Sequence, residues 1–239
     1  MDKYQQSKLF FDEVIDDYAD ETQSIQPEFY RNAAAFIDVA LSGCKDVLDI
    51  GNGGVINYDF AHLARLDCAD LSLSQTAVKR YASYDHIAFF ASDIFDLKEI
   101  DDNTYDAVIV QAVLHHLAGS TRKQTDQNVL RALSSCMRVL KPGGRLLIVE
   151  SVVPRSFELI ERLFYPLMQL FFKLCKFGAV YQYSAHSLGR LIQREGYAIM
   201  ESAPIALDRY VWVMRRKIPT ALTPCRAVWL FLKKEEGNI

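Results

Sequence analysis

Acidic residues at the ends of three successive apolar segments are the side chains best placed to do chemistry in this chain. The first segment, residues 47–50, contains Asp49 and runs directly into Gly51, Asn52 and Gly53. Glycine adopts positive φ readily and leaves no Cβ between the backbone and a ligand. The pattern therefore predicts a strand buried on both faces, followed by a turn that binds a small charged ligand.

The chain beyond this turn predicts how the rest of that ligand is held. A helix is predicted to begin at about Ile56, where its free N–H groups would face an anionic group. Residues 65–70 are predicted to form a second strand that ends in Asp70. Asp70 follows the glycines by about the 20 residues that separate the turn from the ribose-binding acid in dinucleotide folds. A carboxylate there can accept hydrogen bonds from both ribose hydroxyls.

A third apolar strand is predicted over residues 87–94, and it also has an acid near its end. Asp93 is placed to accept a hydrogen bond from an exocyclic amino group such as that of adenine, and Ile94 is available against the ring. From residue 46 onwards strands alternate with helices, which predicts a parallel sheet with right-handed crossovers. Ligands of such sheets bind beyond the carboxyl ends of the strands, so we expect the three acids to meet there.

These segments, together with residues 105–117 and 140–150, resemble the class I S-adenosylmethionine-dependent methyltransferases, most strongly over residues 46–150. The resemblance implies an α/β fold: a Rossmann-like, doubly wound, seven-stranded and mostly parallel sheet with helices on both faces. An antiparallel strand over residues 226–233 would complete the sheet. A nicotinamide-dinucleotide fold fits less well, because Ile56 occupies the position of its third glycine.

The resemblance implies that the chain binds S-adenosylmethionine. Gln111 would contact the methionine part of the cofactor, and Tyr18 in the N-terminal segment would help to close the site. The glycine turn departs from the usual G-x-G-x-G of the family, because Gly54 follows Gly53 directly. The residues expected to contact the cofactor are Asp49, Gly51, Asn52, Gly53, Asp70, Leu71, Ser92, Asp93, Ile94, Gln111 and Tyr18.

Two histidines follow the fourth predicted strand, where cofactor and acceptor should meet. A histidine can remove a proton from an acceptor hydroxyl or protonated amine near neutral pH. We expect His116 rather than His115 to do so. The alternative is that the His-His-Leu sequence is structural, with one imidazole bonded to the backbone. Glu150, at the end of the fifth strand, is a second candidate for positioning or base work, and the spacing of potential ligands assembles no metal site.

The chain is expected to form a single domain over residues 1–239. Residues 1–44 are predicted to be an N-terminal helical cap, and residues 46–150 the cofactor-binding core. Residues 157–183 are an apolar insertion after the fifth strand that could cover the substrate. Residues 184–239 would supply the C-terminal part of the sheet.

Local patterns predict how the outer helices begin and which faces they bury. Leu9 and Val14 are predicted to share an apolar face of the first helix. Capping patterns predict helices that begin just after Ser72, Thr121 and Ser184.

The insertion leaves three interpretations open. It could be ordinary core or a dimer face, or an apolar lid for a hydrophobic acceptor. It could also be a helix on a membrane surface, with Lys173 and Lys176 at the headgroups. A transmembrane span is not expected, because the uncharged run from Leu163 to Phe172 falls far short of the ~20 residues required, and Pro166 interrupts it.

Composition bounds the remaining possibilities. The chain has 239 residues, of which 50% are hydrophobic, and its net charge of −3 argues against a general nucleic-acid binder. The first thirty residues are acidic, which is interpreted as a solvated face. Five scattered cysteines without C-x-x-C spacing argue against a disulfide framework and a zinc site. The charged N-terminus lacks the apolar segment of a signal peptide, so we expect a cytoplasmic protein.

The sequence therefore predicts an enzyme that methylates an O, N or C atom of a small, hydrophobic or aromatic metabolite. A second copy of the chain, forming a homodimer, and a peripheral membrane contact are further partners that the apolar insertion allows. Two other functions stay open. The chain could be a protein or RNA methyltransferase, or a cofactor-binding partner protein that lacks transferase activity.

Overall fold

Two helices precede the sheet in the computed structural model, which describes residues 3–174, 179–213 and 216–234. Helix α1 spans Lys3–Ile25 and helix α2 spans Pro27–Ala40. The proline at the first position of α2 fixes a helical φ without losing an intrahelical hydrogen bond. The predicted N-terminal helical segment is thereby confirmed. On α1, Val14 is buried as expected, whereas Leu9 is 53% exposed and does not belong to the buried face.

A seven-stranded sheet forms the centre of the molecule, in the order β3-β2-β1-β4-β5-β9-β6. Strands β1 to β5 pair in parallel, and β9 is antiparallel to both β5 and β6. This confirms the doubly wound sheet and its antiparallel strand. The strands are β1 (Asp46–Ile50), β2 (Arg65–Asp70), β3 (Ile87–Ala91), β4 (Tyr105–Gln111), β5 (Leu140–Val152), β6 (Tyr197–Ile205) and β9 (Arg226–Lys234). A separate antiparallel hairpin pairs β7 (Tyr210–Val213) with β8 (Arg216–Pro219).

Helices cover both faces of the sheet, as predicted. The remaining helices are α3 (Gln75–Arg80), α4 (Arg122–Val139), α5 (Arg155–Leu163), α6 (Tyr165–Leu174) and α7 (Ala185–Arg194). Successive residues of β1 point to opposite faces, so Leu48 joins the core under α4 and α7 while Val47 joins the core under α2. Both side chains are fully buried, because a parallel strand between two helical layers has no solvent-facing side.

The predicted helix from Ile56 is wrong, because residues 51–64 connect β1 to β2 without any helix. Gly53 and Gly54 both have positive φ, at 59° and 82°, and so cannot start a right-handed helix. The Asn52 side chain accepts a hydrogen bond from the Gly54 N–H at 2.8 Å, which offers the backbone an alternative to helical bonding. Tyr58 turns inward and donates to a buried carboxylate, which fixes the path of the loop.

One of the three predicted helix starts is also misplaced. Helix α3 begins after Ser74, whose hydroxyl accepts from the Ala77 N–H, and not after Ser72. The caps at Thr121 and Ser184 are confirmed, with acceptor distances of 3.1 and 3.3 Å from the third following N–H. Ser72 has a different partner, because its hydroxyl donates to Asp12 on α1.

The acidic residues of α1 are not simply a solvated face, which corrects the sequence interpretation. Asp12, Asp16 and Asp20 are spaced four residues apart, so they lie along one side of the helix. Each bonds to the segment after β2: Asp12 to the Ser72 hydroxyl at 2.6 Å, Asp16 to the Ser74 hydroxyl at 3.1 Å, and Asp20 to the Arg80 guanidinium at 2.7 Å. We call these three aspartates the α1 acidic ladder. It fastens α1 across the carboxyl ends of β1 and β2.

The predicted insertion forms α5, α6 and an extended strap, which we define as residues 179–184. The strap returns the chain to the sheet, where the Tyr181 N–H donates to the His115 carbonyl at 2.9 Å. Cys175 and Lys176 lie outside the described residues, as does the side chain of Lys173. No helix in the described part of the chain is both long and apolar enough to cross a bilayer.

Candidate functional site

Two adjoining cavities open at the carboxyl ends of the strands, at the point where the order of the sheet reverses between β1 and β4. The strand-end cavity is bounded by the segments that follow β1, β2, β3 and β4, by α1, and by one residue of α2. Nine of the residues predicted to contact the cofactor line it: Gly51, Asn52, Gly53, Asp70, Leu71, Ser92, Ile94, Gln111 and Tyr18. The predicted meeting of the strand ends is therefore present in the fold.

The glycine turn approaches its neighbours so closely that no side chain fits. Gly51 and Gly53 have φ values of 68° and 59°, which confirms the predicted positive φ. A Cβ on Gly51 would lie 2.7 Å from the Val113 side chain, and one on Gly53 would lie 2.8 Å from the Tyr18 ring. Both glycines line the strand-end cavity, so the turn presents bare backbone to whatever occupies it.

Asp70 lies at the rim of the strand-end cavity and ties two loops together. One carboxylate oxygen accepts from the Gly53 N–H and the other from the Ser72 N–H, both at 3.1 Å. Burial raises the pKa of Asp70, while these backbone N–H groups lower it. The carboxylate retains lone pairs toward the cavity, because each oxygen can accept more than one bond.

Asp49 lies beneath the turn and does not line the cavity. It is 1% exposed and accepts from the Tyr58 hydroxyl at 2.7 Å and from the Asn52 amide at 3.1 Å. Burial raises the pKa of Asp49 to about 7. Its second oxygen, Oδ1, has no partner among the described residues. Asp49 therefore supports the turn from behind, and Asn52 carries that support to the cavity surface.

At the far end of the cavity, one residue that was predicted to contact the cofactor, Asp93, does not line the cavity. Ser92 and Ile94 line it, but the Asp93 carboxylate accepts from the Phe95 N–H at 2.9 Å and is not part of the lining. Strand β3 ends at Ala91, three residues earlier than predicted, so Asp93 belongs to the following turn. Its contact with an adenine amino group stays a prediction.

A second cavity, the aromatic cavity, adjoins the first. Its walls come from α1, α2, the strap, the β7 strand and the start of β9. Phe10, Phe29 and Trp212 contribute apolar surface, and Gln182 and Arg226 contribute polar groups. Five residues line both cavities and form their common wall: Phe11, Tyr18, Tyr30, Ala112 and His116.

His115 and Glu150 form a pair behind the aromatic cavity. Nδ1 of His115 lies 2.6 Å from a carboxylate oxygen of Glu150, and His115 lines the cavity while Glu150 does not. Glu150 is 2% exposed and also accepts from the Leu114 and Ser151 N–H groups, at 2.7 and 2.6 Å. With its oxygens occupied in this way, Glu150 orients the His115 ring through Nδ1. A direct role of Glu150 as base has no support from this arrangement.

His116 occupies the common wall of the two cavities. Its ring meets the Phe11 ring edge-on, with centroids 4.9 Å apart. Burial lowers the pKa of His116 well below its usual range, so the imidazole is neutral at physiological pH. Its Nδ1 has no partner among the described residues, and so the imidazole is not bonded to the backbone through that atom.

Several lining residues were missed in the sequence. Phe11 and Tyr30 lie on helices whose faces could not be oriented before the two helices were placed on the sheet. Ala112 follows β4 with a φ of 57°, an unusual value for a residue with a Cβ, and nothing in its sequence context signals it. Trp212 reaches the aromatic cavity only because the β7 strand folds back over α1, where its ring packs edge-on against Tyr18.

The side chains that could bind a metal ion are dispersed in the described part of the chain. The described residues contain no group of three or more histidine, cysteine or acidic side chains positioned around a common point. Cys44, Cys68, Cys136 and Cys225 are all free thiols.

Comparisons with known proteins agree with this geometry. Residues 48–148 match the family model described as "Methyltransferase domain". The chain is 36% identical over 126 residues to a ubiquinone/menaquinone biosynthesis C-methyltransferase UbiE of Cellvibrio japonicus, covering 48% of this chain and 46% of that protein. It is 28% identical over 158 residues to a demethylmenaquinone methyltransferase of Clavibacter sepedonicus, covering 62% and 59%. The matches thus span about half the length of these curated relatives.

The fold itself has close structural counterparts. A Burkholderia thailandensis 1,6-didemethyltoxoflavin-N1-methyltransferase, solved with 1,6-didemethyltoxoflavin and S-adenosylhomocysteine, superposes with a TM-score of 0.65 at 15% identity. The superposition covers 96% of this chain and 88% of that protein. At this identity the likeness establishes a shared architecture.

Proposed function

The chain belongs to the class I S-adenosylmethionine-dependent methyltransferases, and from this premise we propose that it methylates a small hydrophobic or aromatic metabolite. The acceptor atom is O, N or C. One observation carries the proposal: the strand-end cavity and the aromatic cavity share a wall, so a cofactor in the first directly adjoins an acceptor in the second. Methyl transfer requires this juxtaposition, because the acceptor atom must lie in line with the sulfonium methyl.

The strand-end cavity fits S-adenosylmethionine. Gly51 and Gly53 present bare backbone to the cavity, because a Cβ at either position would collide with Val113 or Tyr18, and the Asp70 carboxylate is available for ribose hydroxyls. The buried Gln111 Oε1 has no partner among the described residues and is an acceptor suited to the cofactor's amino group. When bound, the cofactor supplies an electrophilic methyl group, and the residues of this chain bind and orient it.

The aromatic cavity supports an apolar, ring-containing acceptor. Phe10, Phe29 and Trp212 provide flat apolar surface, and Gln182 provides a hydrogen-bonding group that can fix the orientation of the ring. Relatives named for ubiquinone and menaquinone biosynthesis point to the same class, since quinols are substituted aromatic rings. A quinol or other phenol is the acceptor that this cavity suits best.

The base that removes the acceptor proton is His115. In the tautomer in which Nδ1–H donates a hydrogen bond to Glu150, Nε2 is the basic nitrogen of a ring that lines the acceptor cavity. The acceptor proton would pass to that nitrogen while the acceptor oxygen, nitrogen or carbon takes the methyl group, and the cofactor would leave as S-adenosylhomocysteine. His116, which the sequence favoured, serves instead as a neutral side chain that lines both cavities beside their junction, because burial lowers its pKa.

The proposal is tested with the purified full chain, labelled S-adenosylmethionine and a panel of acceptors. The panel contains a short-chain demethylmenaquinol, simple phenols and aromatic amines. We expect micromolar binding of S-adenosylhomocysteine by calorimetry and label transfer to at least one phenolic compound. Binding without transfer to any small molecule, but with transfer to protein or RNA, would favour the polymer-modifying alternative. Failure to bind the cofactor at all would refute the proposal.

Other expectations stay predictions. These are the cytoplasmic location, the absence of nucleic-acid binding and the homodimer. The domain boundaries within residues 1–239, including a lid over residues 157–183, also stay predictions. Of that segment, the strap residues Val180 and Gln182 line the aromatic cavity, whereas no described side chain of α5 or α6 does.

A further inference from the structure

Helix α5 has its polarity reversed relative to an ordinary surface helix. Its acidic residues Glu158 and Glu161 face inward and are only 7% and 5% exposed. Its apolar residues Leu159, Ile160 and Leu163 face outward and are 65%, 55% and 74% exposed. A surface helix of a protein that is surrounded by water places these residue types the other way round.

The inward acids have partners that fix the orientation of α5. One oxygen of Glu158 accepts from the Ser184 N–H at 3.1 Å, and Glu161 accepts from the Gln182 N–H at 3.3 Å. Arg122 of α4 lies 3.9 Å from Glu158 and neutralises part of the buried negative charge. Rotating α5 to bury its leucines would break these contacts with the strap, so the outward apolar face is a fixed part of the fold.

Helix α6 extends the same apolar surface. Its inward side is anchored by Tyr165, whose hydroxyl donates to the Gly119 carbonyl at 2.6 Å, and by Gln169, whose amide donates to the Val180 carbonyl at 3.2 Å. The opposite side is apolar. The α5–α6 face, as we call it, consists of the exposed residues Leu159, Ile160, Leu163, Phe164, Leu167 and Leu170, continuing to Phe171 and Leu174.

The charge at the edge of this face is positive. Arg155 and Arg162 are exposed on α5, while both acids of that helix are buried. Helix α6 contains no acidic residue. Most of the exposed large apolar side chains in the described part of the chain lie in this one region. Together with the two arginines they make the surface both apolar and locally cationic. Leucine and phenylalanine beside arginine are the side chains that insert at the headgroup boundary of an anionic bilayer.

A second copy of the chain is a poorer occupant for this face. A two-fold symmetric interface would bury the face against itself and so bring Arg155 and Arg162 of both copies to one interface. The described residues of α5 and α6 offer no exposed carboxylate to pair with them. Like charges opposed across an apolar interface disfavour association.

We propose that the α5–α6 face docks the protein on the surface of an anionic phospholipid bilayer. Docking also places the aromatic cavity beside the membrane, because the strap that holds α5 through Glu158 and Glu161 contributes Val180 and Gln182 to that cavity. The docking itself does not depend on which acceptor is methylated. Its test therefore requires neither cofactor nor acceptor.

The test is co-sedimentation of the full chain with vesicles. Wild type is expected to sediment with phosphatidylglycerol–phosphatidylcholine vesicles and much more weakly with phosphatidylcholine alone. Leu163→Glu and Leu167→Glu are each expected to weaken partitioning about tenfold or more, because a carboxylate replaces an inserted apolar side chain. Replacing Arg155 or Arg162 by glutamine should weaken anionic binding about fivefold per arginine, a free energy of about 1 kcal/mol each.

Matched controls use leucine and valine side chains that are equally exposed elsewhere. Val39→Glu on α2 and Leu222→Glu after β8 alter residues that are 78% and 79% exposed, and both variants should sediment like wild type. Thermal unfolding of every variant verifies that the fold is intact. Sedimentation velocity of wild type, Leu163→Glu and Leu167→Glu reports the oligomeric state.

Three outcomes overturn the proposal. The first is a wild-type chain that fails to sediment with anionic vesicles. The second is equal sedimentation of the glutamate variants on α5–α6 and of wild type. The third is a wild-type dimer that the same glutamates dissociate without vesicle binding, which would assign the face to a second copy. None of these results bears on cofactor binding, which calorimetry with S-adenosylhomocysteine measures separately.

Discussion

The two cavities of this protein are built in opposite ways. The strand-end cavity is made mostly from residues 50–117, at the tips of neighbouring strands, and α1 and Tyr30 of α2 supply its distant walls. The aromatic cavity combines segments from residue 10 to residue 227, brought together by the N-terminal helices, the strap and the β7 strand. The first depends on short motifs, and the second depends on how distant parts of the chain pack. Cofactor binding can therefore persist while the acceptor cavity changes.

The largest expected effect concerns the aromatic cavity alone. His115→Asn should lower the rate of methyl transfer by about 10²- to 10⁴-fold, because it removes the base that Glu150 orients. Affinity for S-adenosylhomocysteine should stay unchanged, since His115 does not line the strand-end cavity. Single-turnover transfer to the acceptor that the panel identifies, beside calorimetry, measures both quantities.

His116→Asn tests whether the adjacent histidine has the catalytic role instead. His116 lines both cavities, so its replacement should alter cofactor affinity as well as turnover. Full activity of His115→Asn, together with loss of transfer in His116→Asn, would return the catalytic role to His116. It would also show that a residue lining both cavities, and not one lining the aromatic cavity alone, takes part in the reaction.

The next largest effect concerns the strand-end cavity alone. Gly53→Val should weaken cofactor binding by roughly 100-fold, about 3 kcal/mol, because a β-branched side chain at positive φ would also collide with the Tyr18 ring. Calorimetry with S-adenosylhomocysteine measures the loss.

Gly43→Val provides the matched control for Gly53→Val. Gly43 has a φ of 80°, but a Cβ there would meet no atom within 4 Å. It carries the same backbone strain, so its unfolding temperature should fall while its cofactor affinity stays at the wild-type value. Equal loss of affinity in both variants would mean that strain, and not the close approach at Gly53, accounts for the effect.

A smaller loss is expected at the rim of the same cavity. Asp70→Ala should weaken cofactor binding by about 1.5–3 kcal/mol, the usual worth of a hydrogen bond to a charged group. Part of that loss will reflect the Gly53 and Ser72 N–H groups that Asp70 also binds. Asp70→Asn retains an acceptor for one of them and should lose less. Unchanged calorimetric affinity in Asp70→Ala would contradict the assignment to ribose.

A change in folding stability, and not in binding, distinguishes support of the glycine turn from contact with the ligand. Burial raises the pKa of Asp49 from 3.8 to about 7, so the folded protein holds a proton there that the unfolded chain has released. Stability should therefore fall as pH rises from about 4 to 7. Asp49→Asn, which cannot ionise, should remove this part of the decline, a few kcal/mol at most since one pKa unit is worth about 1.4 kcal/mol.

Urea unfolding of wild type and Asp49→Asn at pH 5 and pH 7.5 provides the measurement. The difference in unfolding free energy between the two proteins should change in favour of the variant as pH increases. Parallel pH dependences would mean that Asp49 is ionised throughout, and that Tyr58 and Asn52 stabilise its charge fully.

The sequence could predict the parts of the site that depend on short motifs, and not the parts that depend on how distant segments pack. Gly51, Gly53 and Asp70 were predictable because each belongs to a pattern a few residues long whose geometry is imposed by backbone sterics. Asp49 was located correctly in its strand but assigned to the ligand, because the alternation of β1 does not reveal which face the cavity meets. The helix expected from Ile56 failed because two successive glycines with positive φ redirect the chain.

The aromatic cavity was largely beyond sequence reasoning. Trp212 enters it through a hairpin whose position depends on contacts with α1, far away in sequence. The proposal of His115 over His116 depends on Glu150, and only the folded sheet shows that its carboxylate reaches His115. The pairing of strands determines which side chains come into contact, and no short stretch of the sequence reveals that pairing.

The α1 acidic ladder ties the exchange of ligands to the movement of one helix. Phe11 and Tyr18 of α1 close both cavities, and the ladder bonds that helix to the loop beyond Asp70. If spent cofactor leaves on that side, Asp12 would have to separate from Ser72 and Asp20 from Arg80, because these bonds fasten the helix beside the strand-end cavity. Departure by this route would quicken with ionic strength, which weakens solvent-exposed charge pairs.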